Sequence, residues 1–398
     1  MNKAKSSDPV VIASYARTPM ASFQGALAGL KATALGSAAI KAALERANVK
    51  GENVDQVIMG CVLPAGLGQA PARQAALGAG LPIATGATTI NKMCGSGMQA
   101  VIMAADALAA GSADVIVAGG MESMTNAPFL LPKHRGGMRM GHDVVQDSMF
   151  LDGLEDAYAQ GRLMGAFADD IARDYQLTRE AQDDYAIQSL TRAKAAIANG
   201  TFTREIAPVK IEGRSGTAVV DTDEQPSKAR PEKIREIKPA FSKDGTVTAA
   251  NASSISDGAA AVVVTRESVA KRLGLPIKAR IVSCAVHAQE PSLFATAPVP
   301  AMKKVLARAG WSVADVDLFE VNEAFAIVAM IAASELGIPQ DKLNVNGGAC
   351  ALGHPIGASG ARIIATLLAA LENRGLKRGV ASLCIGGGEA TAVALELV

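Results

Sequence analysis

Apolar residues fall along this chain in two rhythms. Short β-branched runs occupy residues 10–15, 54–59, 88–90 and 115–118, and Ala- and Leu-rich stretches with helical spacing occupy 32–47 and 99–110. The pattern predicts strands alternating with helices. Thr88-Thr89-Ile90, then Asn91-Lys92-Met93-Cys94-Gly95-Ser96-Gly97-Met98, reads as a strand, a tight turn and a helix with no Pro or further Gly until Gly111. That puts a thiol at or near a helix N-terminus, where free N–H groups and the helix dipole favour a thiolate. The glycines let a substrate carbonyl approach the backbone. Cys94 is therefore the candidate nucleophile.

The same order returns in the second half. Lys41-Ala42-Ala43-Leu44-Glu45-Arg46-Ala47 leads to Val54-Asp55, and Lys303-Lys304-Val305-Leu306-Ala307-Arg308-Ala309 leads to Val316-Asp317, displaced by 262 residues. Ser96-Gly97 opens a helix leading to a strand at 115–120; Ser359-Gly360 opens another, displaced by 263, leading to 381–387. Two copies of one α/β unit follow, with a loop domain inserted into the first. The expected divisions are 1–120 for the N-terminal half, 121–248 for the insertion, 249–272 for the completion of that half, and 273–398 for the C-terminal half. Within the insertion the spacing predicts a helix from near Thr178 to about Asn199-Gly200. A charged, Pro-punctuated stretch at 221–233 follows it and offers Lys228 and Arg230 as an anion site over the active-site face.

Composition narrows the function. Among 398 residues 49% are hydrophobic, 19% charged and only 4% aromatic, with a net charge of +1. This suits compact α/β packing and gives no general field for nucleic acid or a membrane surface. Five cysteines and four histidines are scattered without paired spacing, which predicts neither a disulfide framework nor a metal site. Residues 1–8 are polar and run directly into a strand, with no leader pattern. The most apolar region, 101–119, carries Asp106, Gly111 and Asp114, so it is a buried helix and strand rather than a membrane span. A soluble protein of a reducing compartment, the cytoplasm, is expected.

Three segments of the second copy join Cys94: Glu320-Val321-Asn322-Glu323-Ala324-Phe325-Ala326, the glycine-rich connection 346–360 that contains His354, and Cys384-Ile385-Gly386-Gly387-Gly388-Glu389. Under the duplication His354 falls at the position of Asn91, in the same strand-to-helix connection as Cys94, so the two are expected to face one another across the seam. Cys384 ends a strand before three glycines whose N–H groups can point into a site.

These segments resemble the signatures of the thiolase family, of the acetoacetyl-CoA type. The resemblance covers the chain from Ala16-Arg17-Thr18-Pro19 through residues 91–97, Gly119-Gly120-Met121-Glu122-Ser123-Met124, Asn251-Ala252-Ser253, Asn322-Glu323-Ala324-Phe325 and Gly353-His354-Pro355 to Cys384-Ile385-Gly386. It implies a thiolase fold of duplicated halves in five layers, αβαβα. It also implies reversible condensation of two acetyl-CoA to acetoacetyl-CoA and CoA, with these thioesters as substrates and no permanently bound cofactor. Cys94 would carry the acyl group, His354 would take its proton, and Cys384 would exchange a proton with the second acyl-CoA. One oxyanion pocket would use His354 with a water held by Asn322, the other the N–H groups of Cys94 and Gly386. Ser253 would lie near the pantetheine, with Ala249, Met164 and Phe325 lining its channel.

The chain departs from the family at Leu163, where a His is common. Phe294 resembles the mitochondrial members that accept α-methyl-branched substrates. Members are usually dimers or tetramers, and the loop at 128–141 is a candidate contact between dimers. Three other readings compete: a degradative 3-ketoacyl-CoA thiolase of broader chain length, a non-catalytic acyl-CoA or sterol carrier, and a dinucleotide-binding turn at Gly95-Ser96-Gly97-Met98-Gln99-Ala100 with Glu122 as its acid.

Overall fold

The structure is a computed structural model that describes residues 8–213 and 216–398; most of the expected polar N-terminus, residues 1–7, lies outside the described residues. The first half is built from β1 (Val10–Arg17), α1 (Ala32–Ala47), β2 (Gln56–Gly60), α2 (Pro71–Gly78), β3 (Gly86–Ile90), α3 (Ser96–Ala109), β4 (Val115–Ser123) and, after the insertion, β5 (Ser256–Arg266). The insertion holds α4 (Met164–Asp174) and α5 (Arg179–Ala198). The second half runs β6 (Ala279–Ala288), α6 (Pro298–Ala309), β7 (Leu318–Val321), α7 (Ala326–Leu336), α8 (Ser359–Arg374), β8 (Arg378–Ile385) and β9 (Glu389–Leu397).

The strands lie in the order β7-β8-β9-β6-β1-β5-β4-β2-β3. In the first half β1·β5 and β5·β4 are antiparallel, whereas β4·β2 and β2·β3 are parallel. In the second half β6·β9 and β9·β8 are antiparallel and β8·β7 is parallel, with a parallel bridge from Phe319 to Leu343 where β3 would correspond. The half-sheets pair at the start of β1 and β6, through Val11–Arg280 and Ile12–Ala279. Helices α1 and α2 cover one outer face and α6 and α7 the other; α3 and α8 pack together between the two half-sheets in a shared apolar core. The result is the five-layered αβαβα arrangement.

Two details repeat with the fold. Asp55 accepts from the N–H groups of Asp114 and Val115, and Asp317 from those of Lys377 and Arg378, so each aspartate locks the head of the strand beside it. Ser14 donates to the Ala43 carbonyl at 2.6 Å and Ser283 to that of Val305 at 2.8 Å, each beside a register shift that follows an isoleucine. The second pair is a repeat signal that alanine-rich helices obscure in the sequence.

Strand β4 runs to Ser123, three residues into the segment expected as insertion, and β5 begins at Ser256, beyond the end of that segment. Thr178 caps α5 by accepting from the Ala181 N–H, where the spacing placed a helix start. Arg17 of β1, fully buried, binds Glu205 at 2.7 Å and Asp223 through two nitrogens at 2.6 and 2.8 Å, which ties the insertion to the first half-sheet.

Candidate active site

Cys94 sits in the turn between β3 and α3. Asn91 Oδ1 accepts from the Met93 N–H; Ser96 Oγ accepts from Lys92 N–H and donates to the Met93 carbonyl. Met93 is held at φ 46°, a left-handed conformation that a non-glycine residue adopts only when its surroundings enforce it. The glycines serve a purpose beyond the one expected. A Cβ on Gly95 would lie 2.3 Å from the Ile385 side chain, and one on Gly97 would lie 2.8 Å from the Ala361 nitrogen. They let the second half close onto the nucleophile's turn. The dinucleotide reading loses its acid, because Glu122 is buried with its oxygens taken by the N–H groups of Val62, Leu63 and Gly357.

His354 follows a short helical turn, Ala349–Leu352, and Gly353. Gly353 adopts φ +101°, and a Cβ there would lie 2.1 Å from Ser256 Oγ. The His354 N–H donates to the Ser254 carbonyl at 3.1 Å. Its Nδ1 lies 2.5 Å from Ser359 Oγ, which in turn donates to the Pro355 carbonyl at 3.0 Å. A hydroxyl has one hydrogen, so the network assigns the proton to Nδ1 and leaves a lone pair on Nε2. Nε2 is buried and has no hydrogen-bond partner among the described residues. Burial first, and the nearby Arg362 charge second, push the imidazole's pKa down to about 3, so it rests neutral.

Cys384 is the penultimate residue of β8. Burial first and the neighbouring Cys94 second hold its thiol well above the usual range. The turn after β8 needs Gly387 and Gly388 at φ +89° and +83°. The Gly386 N–H is directed at Cys94, where it favours the thiolate, yet burial outweighs it and pushes the Cys94 pKa up to about 11. The expected thiolate at a helix end is thus a thiol at rest, because desolvation of the sulfur penalises charge more than the backbone N–H groups reward it.

Cys94, His354, Cys384 and Gly386 share the wall of one cavity of about 460 Å³. Ser253, Ala249, Met164, Phe294 and Phe325 line it too, as does Leu163. Phe325 meets Phe241 and Phe294 edge-on, with ring centroids 6.1 and 5.9 Å apart. Asn322 stands behind the wall, almost fully buried, with Nδ2 3.5 Å from His354 Nδ1. Lys228 and Arg230 are not among the lining residues; Lys228 pairs with Glu224 at 2.5 Å, and that partner competes with any phosphate. The sequence reading also missed Phe150, Gly153, Leu154 and Phe241, all from the insertion. No motif marks them, because they act as apolar surface brought over the site by the tertiary fold.

Comparison with known proteins agrees with this geometry. Residues 10–268 match the family model "Thiolase, N-terminal domain" and residues 275–397 match "Thiolase, C-terminal domain". The chain is 52% identical to an acetyl-CoA acetyltransferase of Cupriavidus necator over 389 residues, covering 97% of this chain and 99% of that protein. It is 52% identical to acetyl-CoA acetyltransferase 2 of Arabidopsis thaliana over 392 residues, covering 98% and 97%. The crystal structure of the Bacillus anthracis acetyl-CoA acetyltransferase superposes with a TM-score of 0.95 at 40% identity, covering 98% of this chain and 99% of that one.

Proposed function

The chain belongs to the thiolase family, and on that premise we propose that it is an acetyl-CoA C-acetyltransferase. It condenses two acetyl-CoA to acetoacetyl-CoA and CoA, or cleaves short 3-ketoacyl-CoA with CoA in reverse. One observation carries this reading: two thiols and an unpartnered imidazole nitrogen, distant in the chain, line a single apolar cavity.

The Cys94 thiol attacks the carbonyl carbon of acetyl-CoA. Its proton passes to His354 Nε2 and then to the departing CoA sulfur, leaving acetyl on Cys94. The oxygen of the tetrahedral intermediate is received by the N–H groups of Cys94 and Gly386, since the latter already points at the sulfur. Once acetylated, Cys94 can no longer ionise and so cannot oppose the ionisation of Cys384. Cys384 passes its own proton to His354 Nε2 and, as a thiolate, takes a proton from the methyl group of the second acetyl-CoA. The Nε2–H that His354 then carries, with a water held by Asn322, donates to the enolate oxygen. The enolate carbon bonds to the acetyl carbon as the bond to Cys94 breaks; Cys384 gives the methyl proton to that sulfur and recovers its own from His354.

An aromatic wall of Phe294, Phe325 and Phe241 suits a short acyl group, and it is consistent with a degradative role on broader substrates only if these rings move. Pantetheine would run past Ser253, Ala249 and Met164. A cytoplasmic place in fatty-acid metabolism is part of this reading, as is a homotetramer. The exposed apolar side chains Phe129, Met138, Met140 and Val144 on the 128–145 loop support contacts between dimers.

The experiment is mass spectrometry after incubation with acetyl-CoA alone. Acetyl on Cys94 is expected, together with a Cys384→Ala variant that still acetylates but makes no acetoacetyl-CoA. Label on another residue, or condensation by that variant, overturns the roles assigned. Steady-state comparison of acetoacetyl-CoA, 2-methylacetoacetyl-CoA and a long-chain 3-ketoacyl-CoA separates the acetoacetyl from the broader specificity.

A further inference from the structure

Behind the cavity wall lies a buried cation that the reaction does not touch. Arg362, on α8, is fully buried; its Nη1 donates to Glu320 Oε1 at 3.1 Å and its Nη2 to Asn322 Oδ1 at 3.1 Å. We propose that Arg362 is a positioning residue of the enolate-stabilising pocket: it turns the Asn322 amide so that its NH₂ group faces the reacting thioester. The inference rests on the acetyltransferase reading and assigns a residue that the reading leaves unused.

The amide of Asn322 has two nearly isosteric ends, and a pocket for a negative oxygen needs the donor end. A guanidinium offers donors only, so the end it holds is the oxygen. The nitrogen must then point the other way, toward His354. There Nδ1 is 3.5 Å distant, but its hydrogen is committed to Ser359 and it offers no lone pair. Asn322 Nδ2 therefore keeps its hydrogens for a bound water or a thioester oxygen. Without Arg362 nothing favours this orientation over its reverse, which would aim a carbonyl at the developing enolate.

Ser359 and Arg362 lie three residues apart on α8, so one helical turn orients both partners of the pocket, the imidazole and the amide. Glu320, whose pKa burial raises to about 8, accepts from Nη1 and lowers the cost of the buried charge. The same positive charge lies near His354 and opposes its protonation, keeping the base free of a proton.

The test uses the full-length enzyme and three variants, with acetylation of Cys94 and turnover of acetoacetyl-CoA plus CoA measured separately. In Arg362→Met/Glu320→Gln, which removes the ion pair without leaving a lone charge, kcat for thiolysis and condensation is expected to fall about ten- to hundredfold. KM for acetoacetyl-CoA and the acetylation rate at pH 8 stay within about threefold of wild type. The acid limb of acetylation moves to higher pH, because the imidazole has lost a neighbouring cation. Glu320→Gln, which keeps the bond from Arg362 to Asn322, retains turnover. A purely structural role would lower both half-reactions together and leave the pH profile in place. If the double variant does not fold, Arg362→Lys decides, because it keeps the charge but cannot hold both partners; a loss of about tenfold or more in turnover supports the proposal. Wild-type turnover in Arg362→Lys or in the folded double variant overturns it, as does Glu320→Gln losing as much as the double variant. Wild-type enzyme inert toward acetoacetyl-CoA and CoA would instead overturn the acetyltransferase reading beneath it.

Discussion

At the scale of single residues the site is a set of neutral groups waiting for substrate. Burial holds the Cys94 thiol protonated and the His354 imidazole unprotonated, with pKa values pushed to about 11 and about 3. A resting thiolate–imidazolium pair is thus disfavoured on both sides. The proton moves only when a thioester carbonyl accepts the sulfur's charge, so the reaction and the proton transfer are coupled. Alkylation of Cys94 by iodoacetamide is accordingly expected to keep accelerating from pH 7 to pH 10. A rate that levels off below pH 7.5 would reveal a thiolate at rest and contradict the burial argument.

The elements meet through missing side chains. A Cβ on Gly120 of β4 would lie 1.9 Å from the Gly357 carbonyl, and one on Gly360 of α8 would lie 2.3 Å from the Met98 nitrogen. These contacts bring the His354 connection against the first half-sheet and set α8 against α3. Gly120→Ala is therefore expected to displace that connection, lowering stability by about 1–3 kcal/mol and turnover by more than tenfold. Gly29→Ala is the control, since nothing lies within 4 Å of its Cβ position. Urea denaturation of the two variants checks the difference, and equal midpoints would refute the close-packing account.

For the whole molecule, the joint between halves has a titrating group at its centre. Glu122, on β4, binds the N–H groups of Val62 and Leu63 in the first half and of Gly357 in the second. Burial outweighs those three donors and raises its pKa to about 7 from an ordinary 4.5. The folded protein therefore holds this proton more tightly than the unfolded chain. Its contribution to stability is complete below about pH 4.5 and is lost as pH rises through about 7, by as much as about 3 kcal/mol. Glu122→Gln, neutral at every pH, should show a flatter stability profile between pH 5 and pH 8. Denaturant midpoints across that range check the sign; a wild type that gains stability over the variant as pH rises would reverse it.

The repeat, the strand–turn–helix around Cys94 and the start of α5 at Thr178 were legible along the chain, because each depends on neighbours a few residues apart: periodicity, a cap and a turn. The aspartates at 55 and 317 were legible as a repeat, though not as locks on strand heads. Lys228 and Arg230 show the limit, since composition marks a basic stretch but not the carboxylate that already pairs with Lys228. The protonation states of Cys94 and His354, the apolar cover from Phe150, Leu154 and Phe241, and the hold of Arg362 on Asn322 belong to the tertiary structure alone. They depend on desolvation and on contacts between residues far apart in sequence, and local pattern encodes neither.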